Sequence, residues 1–238
     1  MKWIGLIGGM SWESSAEYYR VINQLVRDAR GGLHSAPIIL ASVDFAQIEA
    51  YQHTGDWDSA GKLLAQVAQR LVAAGAECIV LCTNTMHKVS AAITANLPVP
   101  FIHIADATAE RIVAADISTV ALLGTRYTME QDFYKGRLEA QYGLTVLVPE
   151  AAERAEVNRI IYDELCMGVI DPRSRATYQA IMANLVARGA QAVILGCTEI
   201  TLLVSPADVT VPVFDTTRIH AEAAVAYALA APTTTQTS

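Results

Sequence analysis

The sequence of 238 residues is short of several things, and each shortage removes a class of protein. No apolar run approaches the roughly 20 residues of a membrane span, because charged or polar residues interrupt every candidate. There is no basic run and the net charge is −7, so nucleic acid is not an expected partner, although local dipoles still permit a small anion. The four cysteines, Cys78, Cys82, Cys166 and Cys197, form no C-x-x-C pair; no zinc knuckle or other metal site is expected, and reduced thiols are the default. Cys78 and Cys82 fall on one expected strand about 13 Å apart, too far to bridge. Gly8-Gly9 lacks the G-x-G-x-x-G spacing of a dinucleotide fingerprint, and nothing resembles a phosphate loop. Lysine is scarce: Lys2, Lys62, Lys88 and Lys135 are the only four, none placed at a strand end as a lysine-bound cofactor requires. The start, Met1-Lys2-Trp3-Ile4-Gly5, has neither the apolar region nor the cleavage site of a secretory signal, so a cytoplasmic protein is expected.

What is present is a globular composition, 53% apolar and 17% charged, with length for one large or two small domains. It is organised around a repeat. Leu71-Val-Ala-Ala-Gly-Ala-Glu-Cys-Ile-Val-Leu-Cys-Thr83 lies without gaps over Leu185-Val-Ala-Arg-Gly-Ala-Gln-Ala-Val-Ile-Leu-Gly-Cys197, which sets Thr83 on Cys197. In the same order Ile4–Gly9 matches Val120–Thr125 and Val99–His103 matches Val211–Asp215, at offsets of 116, 114 and 112 residues for the three pairs. Conserved order with a drifting offset is what duplication followed by small deletions leaves.

Short apolar runs alternate with helical periodicity along the chain. Strands are expected at about 2–8, 37–43, 77–82, 100–104, 118–123, 144–148, 191–195 and 211–214. Helices are expected at 11–30, 58–74, 85–95, 105–115, 127–142, 153–167, 173–188 and 215–229, with a loop at 44–53 and a frayed tail from Pro232. This predicts an α/β fold of two pseudo-symmetric domains with parallel sheets, residues 1–98 plus 210–238 forming the first and 99–209 the second. Ligands in such folds bind beyond the carboxyl ends of strands, so the active site belongs in the cleft where Gly9, Thr83, Thr125 and Cys197 end theirs.

Cys197 and Thr83 each close a strand and open a helix. A helix N-terminus is expected to lower a thiol pKa from its ordinary value of about 8.5, and the amides that follow form a nest for an anion. Two proton-carrying groups opposed across a pseudo-twofold axis suit a reaction that removes a proton from one face of a carbon and returns one to the other.

The motifs Thr83-Asn84-Thr85-Met86-His87 and Gly196-Cys197-Thr198-Glu199, with Gly8-Gly9-Met10 and Leu123-Gly124-Thr125, resemble the aspartate/glutamate racemase superfamily over nearly the whole chain. The stretches Gly8–Ser14 and Ala121–Tyr134 resemble its broad-specificity amino-acid racemase branch most. The resemblance implies two lobes, catalysis by Thr83 and Cys197 on opposite faces of Cα, no pyridoxal phosphate or other cofactor, an amino acid as the small-molecule partner, and a homodimer. It implies substrate contacts from Met10, Ser11, Gln52, Asn84, Thr85, Thr125, Thr198 and Glu199, with Asn84, Thr85 and Thr198 on the carboxylate.

Two departures bear on chemistry. Typical members carry cysteine at both catalytic positions, whereas here the first is Thr83, with Cys82 one residue back and facing the other side of the strand. An alcohol is a far weaker acid than a thiol, so unequal kinetic constants are expected in the two directions. Aspartate-specific relatives also supply basic residues that residues 44–57 and 160–172 lack, apart from His53; Arg126 is the one substitute cation in view. A neutral or tolerant pocket follows. The alternatives are a single-cysteine decarboxylase or isomerase of the same superfamily, and a non-catalytic amino-acid binding protein.

Overall fold

The computed structural model describes residues 1–231; the tail expected from Pro232 lies outside the described residues. Strands β1 (Ile4–Gly8), β2 (Ile38–Ser42), β3 (Cys78–Leu81) and β4 (Phe101–Ile102) form one parallel sheet in the order β2-β1-β3-β4. Strands β5 (Thr119–Gly124), β6 (Thr145–Leu147), β7 (Ala192–Gly196) and β8 (Val213–Asp215) form a second in the order β6-β5-β7-β8. The two orders are the same, so the repeat in the sequence is a repeat of the fold. Helices cover both faces of each sheet, which is why the central strands are apolar throughout. In the second sheet Ala121, Leu123, Val193 and Leu195 pack into one core, and Val120, Leu122, Ala192 and Ile194 into the opposite one. That is the period-two alternation of a strand with no wet face.

The lobes exchange helices. After β4 the helix Ile104–Val113 packs with Val120 and Leu122 of the second lobe, while after β8 the helix Thr216–Leu229 lays Ala221, Ala224, Val225 and Ala228 against Ile4, Leu6 and Tyr18 of the first. The boundaries expected at 98/99 and 209/210 are therefore corrected. β4 belongs to the first sheet and β8 to the second, because each hydrogen-bonds its predecessor and the chain crosses between lobes only afterwards. The crossings fall at the helix caps His103 and Asp215, whose side chains accept from Ala105 N at 3.2 Å and from Thr217 N at 2.9 Å.

Three further segments differ from expectation, and all three matter for the site. Residues 44–53 are not a loop: Asp44 accepts from Ala46 N at 3.1 Å and caps a helix, Phe45–Thr54, that buries Ile48 and Gln52 one turn apart. The helix expected over 127–142 is broken into Arg126–Glu130 and Lys135–Tyr142. The break sends Met129 into one core of the second lobe and Tyr134 into the other, which no continuous helix would reach. The helix expected over 153–167 keeps α-winding only for Ala151–Arg159, then widens to a π-turn at Ile160–Glu164 and tightens to a 3-10 turn at Leu165–Met167. Such changes of winding rotate the side chains that follow.

Candidate active site

In each sheet the chain leaves β1 or β5 toward one side and β3 or β7 toward the other, so the carboxyl ends of these neighbouring strands enclose a crevice. The two crevices face one another across a single cavity. After β1 come Met10, Ser11 and Ser14; after β3, Thr83, Asn84 and Thr85; after β5, Thr125; at and after β7, Gly196, Cys197, Thr198 and Glu199. Gly9 makes the first of these turns possible. Its φ of +94° is in the left-handed region, and a Cβ there would collide with the Val43 backbone.

The cavity thus brings together Met10, Ser11, Gln52, Thr83, Asn84, Thr85, Thr125, Cys197, Thr198 and Glu199, all anticipated from the sequence. It also takes in Ser14, Phe45, Ile161, Tyr162, Cys166 and Gly196, which sequence reasoning missed. Phe45 arrives with the unforeseen helix, and Ile161, Tyr162 and Cys166 with the π- and 3-10 turns. Ser14 and Gly196 had a signal: Ser14 its place at the start of the first helix, where Ser11 accepts from Ser14 N at 3.2 Å, and Gly196 its place in the motif that carries Cys197. Arg126 is not among the lining residues; it is exposed, 5.5 Å over the Tyr127 ring. His53 is exposed as well. Among the described residues no Lys, Arg or His lines the cavity, and Glu199 is its one carboxylate.

The Cys197 thiol donates to Glu199 Oε2 at 2.9 Å, and the Ser11 hydroxyl donates to Oε1 at 3.0 Å. The expected lowering of the Cys197 pKa is reversed. Burial pushes the thiol well above its ordinary value, and the Glu199 charge and hydrogen bond add to that, with Cys166 a smaller contribution. The helix that was to lower it spans only Ile200–Leu203, about one turn, and a single turn sums few peptide dipoles. Cys166 is itself pushed up to about 12, chiefly by burial. Cys82 is buried in the core of the first lobe behind Thr83 and raised by burial, as its position on the strand implied.

Thr83 is held from behind. Ile104 N donates to His87 Nε2 at 3.2 Å, so His87 carries its proton on Nδ1 and donates to the Thr83 carbonyl at 2.8 Å. Burial keeps the His87 pKa well below its ordinary value, with His103 and His220 adding to the effect. The lobes are joined beside the cavity by the Thr85–Thr125 hydroxyl contact at 3.0 Å and by Trp57, which meets the Tyr127 ring edge-on at 5.4 Å while Lys88 covers it at 3.9 Å.

Twin doubly wound lobes that pool their strand ends into one cavity with a thiol at one motif and an alcohol at its repeat define a two-lobed α/β protein built by duplication. The profile of the Asp/Glu/Hydantoin racemase family matches residues 7–224, and the chain belongs to that family. It is 57% identical to a Yersinia pestis protein described as a candidate Asp/Glu racemase, with 97% of this chain and 100% of that one covered and a TM-score of 0.93. An aspartate racemase homologue from Pyrococcus horikoshii OT3 is 37% identical over 96% of this chain and 99% of its own, at a TM-score of 0.84. The aspartate racemase of Picrophilus torridus, 21% identical over 96% of this chain and 94% of its own, shares the fold at a TM-score of 0.76.

Proposed function

We propose that this chain is an amino-acid racemase that needs no pyridoxal phosphate and exchanges the Cα proton between Cys197 and Thr83. The observation that carries the reading is the arrival of the two registered motif positions at one cavity from opposite lobes. Without ligand, Cys197 is a protonated thiol whose hydrogen points at Glu199. A substrate ammonium near Glu199 offsets the charge that holds the thiol pKa up, and the thiol proton leaves to water, the same pool that later replenishes Thr83. The thiolate then takes the Cα proton and becomes a thiol again, while the carbanion receives a proton on its other face from the Thr83 hydroxyl, replenished through water. With no cation on the wall formed by Met10, Phe45, Gln52, Ile161 and Tyr162, uncharged side chains fit better than aspartate or glutamate. We further propose the homodimer that the family resemblance implies, which light scattering of the purified protein checks.

The test is Cα hydrogen–deuterium exchange followed by NMR, offering both enantiomers of aspartate, glutamate, homoserine and methionine without added cofactor. Exchange with inversion that disappears in Cys197→Ala supports the reading and ranks the substrates. Absence of exchange with every amino acid removes it.

A further inference from the structure

The repeat places unlike residues behind the two reactive turns. Continued without gaps past Thr83 and Cys197, it sets His87 on Thr201; the pairing of Val99–His103 with Val211–Asp215, carried one residue further, sets Ile104 on Thr216. In the second lobe the turn holds itself. The Cys197 carbonyl accepts from Ile200 N at 3.2 Å, and the Thr198 carbonyl from Thr201 N at 3.2 Å and from the Thr201 hydroxyl at 2.7 Å. The crossing helix that follows adds the Thr216 hydroxyl, which donates to the Leu195 carbonyl at 2.8 Å and accepts from Asn84 Nδ2 at 3.1 Å.

The first lobe solves the same problem with one imidazole. Ile104 has no hydroxyl to offer, and its backbone amide donates to His87 Nε2 at 3.2 Å, while His87 Nδ1 donates to the Thr83 carbonyl at 2.8 Å. Thr83 N donates to the Leu81 carbonyl at 2.8 Å, so with His87 both backbone polar groups of Thr83 are fixed. His87 thus links the first turn of the crossing helix to the reactive turn. At 1% exposure and packed against the rings of Phe101, His103 and His220, it has no room to swing away. Both bonds require the proton on Nδ1 and a lone pair on Nε2. The other two buried imidazoles have the opposite arrangement: His103 Nδ1 accepts from Ala105 N, and His220 Nε2 donates to the Ile102 carbonyl.

We infer that His87 is a positioning residue, which keeps the Thr83 hydroxyl at the face of Cα opposite Cys197 by tying the Thr83 turn to the crossing helix. This deepens the racemase reading and rests on it for the task of Thr83. The thiol side needs no such tie, because the backbone of its own turn already holds Cys197. A displacement of about 1 Å in a reacting group costs on the order of 100-fold in rate, so the loss of one anchoring bond is readable in turnover.

Two amides separate the ends of the link. His87→Asn puts an amide nitrogen near the place of Nδ1 and keeps a donor for the Thr83 carbonyl; His87→Gln reaches the place of Nε2, keeps an acceptor for Ile104 N and leaves the Thr83 carbonyl unheld. Racemisation is followed from each enantiomer of whichever of aspartate, glutamate, homoserine and methionine the wild type inverts fastest. The state of the opposite face is followed as the rate at which iodoacetamide alkylates Cys197, read by mass spectrometry of its peptide. In His87→Gln, kcat is expected to fall about tenfold or more from both enantiomers, with KM and Cys197 alkylation within about twofold of wild type, and His87→Asn to regain most of the loss. A His87→Gln enzyme within twofold of wild-type kcat, or a His87→Asn enzyme no better than it, overturns the inference. An alkylation rate that changes together with kcat does so too, since it marks a disturbance of the whole cavity. Long-range proton–nitrogen NMR of the wild-type imidazoles tests the same link without any variant: Nδ1–H on His87 is expected, and Nε2–H overturns it. A wild type that inverts none of the four amino acids removes the racemase reading, and the task of His87 with it, whereas a failure among variants of an active wild type removes His87 alone.

Discussion

Burial and a single carboxylate set the resting state of the Cys197 thiol. Glu199 sits in the position where one turn of helix would favour an anion, yet its side chain serves Cys197 and Ser11 instead of a cap. Its charge and hydrogen bond raise the thiol pKa alongside burial, so Glu199→Gln moves the pH midpoint of Cys197 alkylation downward, measured with iodoacetamide between pH 6 and 10 in a Cys166→Ala background. An upward or absent shift contradicts the pairing. In the proposed reaction Thr83 serves the other face of Cα. Since the equilibrium between enantiomers is one, a lower maximal rate in one direction is matched by a lower Michaelis constant. Stopped-assay kinetics started from each enantiomer are expected to differ in this way, and Thr83→Cys to bring the two sets together. Identical constants in the wild type refute the assignment of unlike groups to the two faces.

Among the elements, the short helix Phe45–Thr54 is the most exposed to a local change. It holds Phe45 and Gln52 in the cavity wall, with Gln52 donating to Met86 Sδ at 3.0 Å, and its first turn depends on the Asp44 cap. Asp44→Ala costs about 1 kcal/mol of stability. Because the helix lines the cavity and hydrogen-bonds neither Thr83 nor Cys197, the kinetic effect expected of the proposed racemase is a raised Michaelis constant with little change in maximal rate. An equal fall in maximal rate would mean that the helix also positions the reacting groups. The π- and 3-10 turns at Ile160–Met167 have the same function on the facing wall, aiming Ile161, Tyr162 and Cys166 inward.

For the whole molecule, the seam between the lobes contains three buried imidazoles. His87 and His103 lie with ring centroids 4.6 Å apart, His87 and His220 5.7 Å apart, and Tyr18 donates to His220 Nδ1 at 2.8 Å because Nε2–H serves the Ile102 carbonyl at 2.6 Å. Burial lowers His103 and His220 to about 4, with Arg137 opposing and Asp106 favouring the His103 charge. In the unfolded chain these groups titrate near 6.5. Below that pH the unfolded state binds protons that the folded state refuses, so stability falls as pH drops from about 6.5 toward 4. Each such imidazole contributes about 1.4 kcal/mol per pH unit, before opposing carboxylates are counted. Urea midpoints between pH 7.5 and 5 should therefore decline, and His220→Gln should flatten the decline. A midpoint independent of pH over that range contradicts neutral histidines at the seam.

The duplication, the alternation of strand and helix, and the positions that close each strand were legible in the sequence, because central parallel strands must be apolar on both faces and a strand end facing a cleft is where a polar residue survives. That reasoning located Thr83, Cys197, Thr125 and their neighbours. It did not find the helix at Phe45 or the altered winding at Ile160, which depend on how Ile48 and Ile160 seat in the cores of the first and second lobes. Nor did it give the lobe boundaries, since β4 and β8 join their sheets by backbone hydrogen bonds to which any apolar strand is suited. The charge state of Cys197 and the direction of the Asn84 amide were likewise set only in three dimensions. The amide depends on partners far along the chain, Thr216 and Leu195, and the thiol on burial by the folded lobes and on the direction in which the Glu199 side chain turns, which the spacing of two residues leaves open.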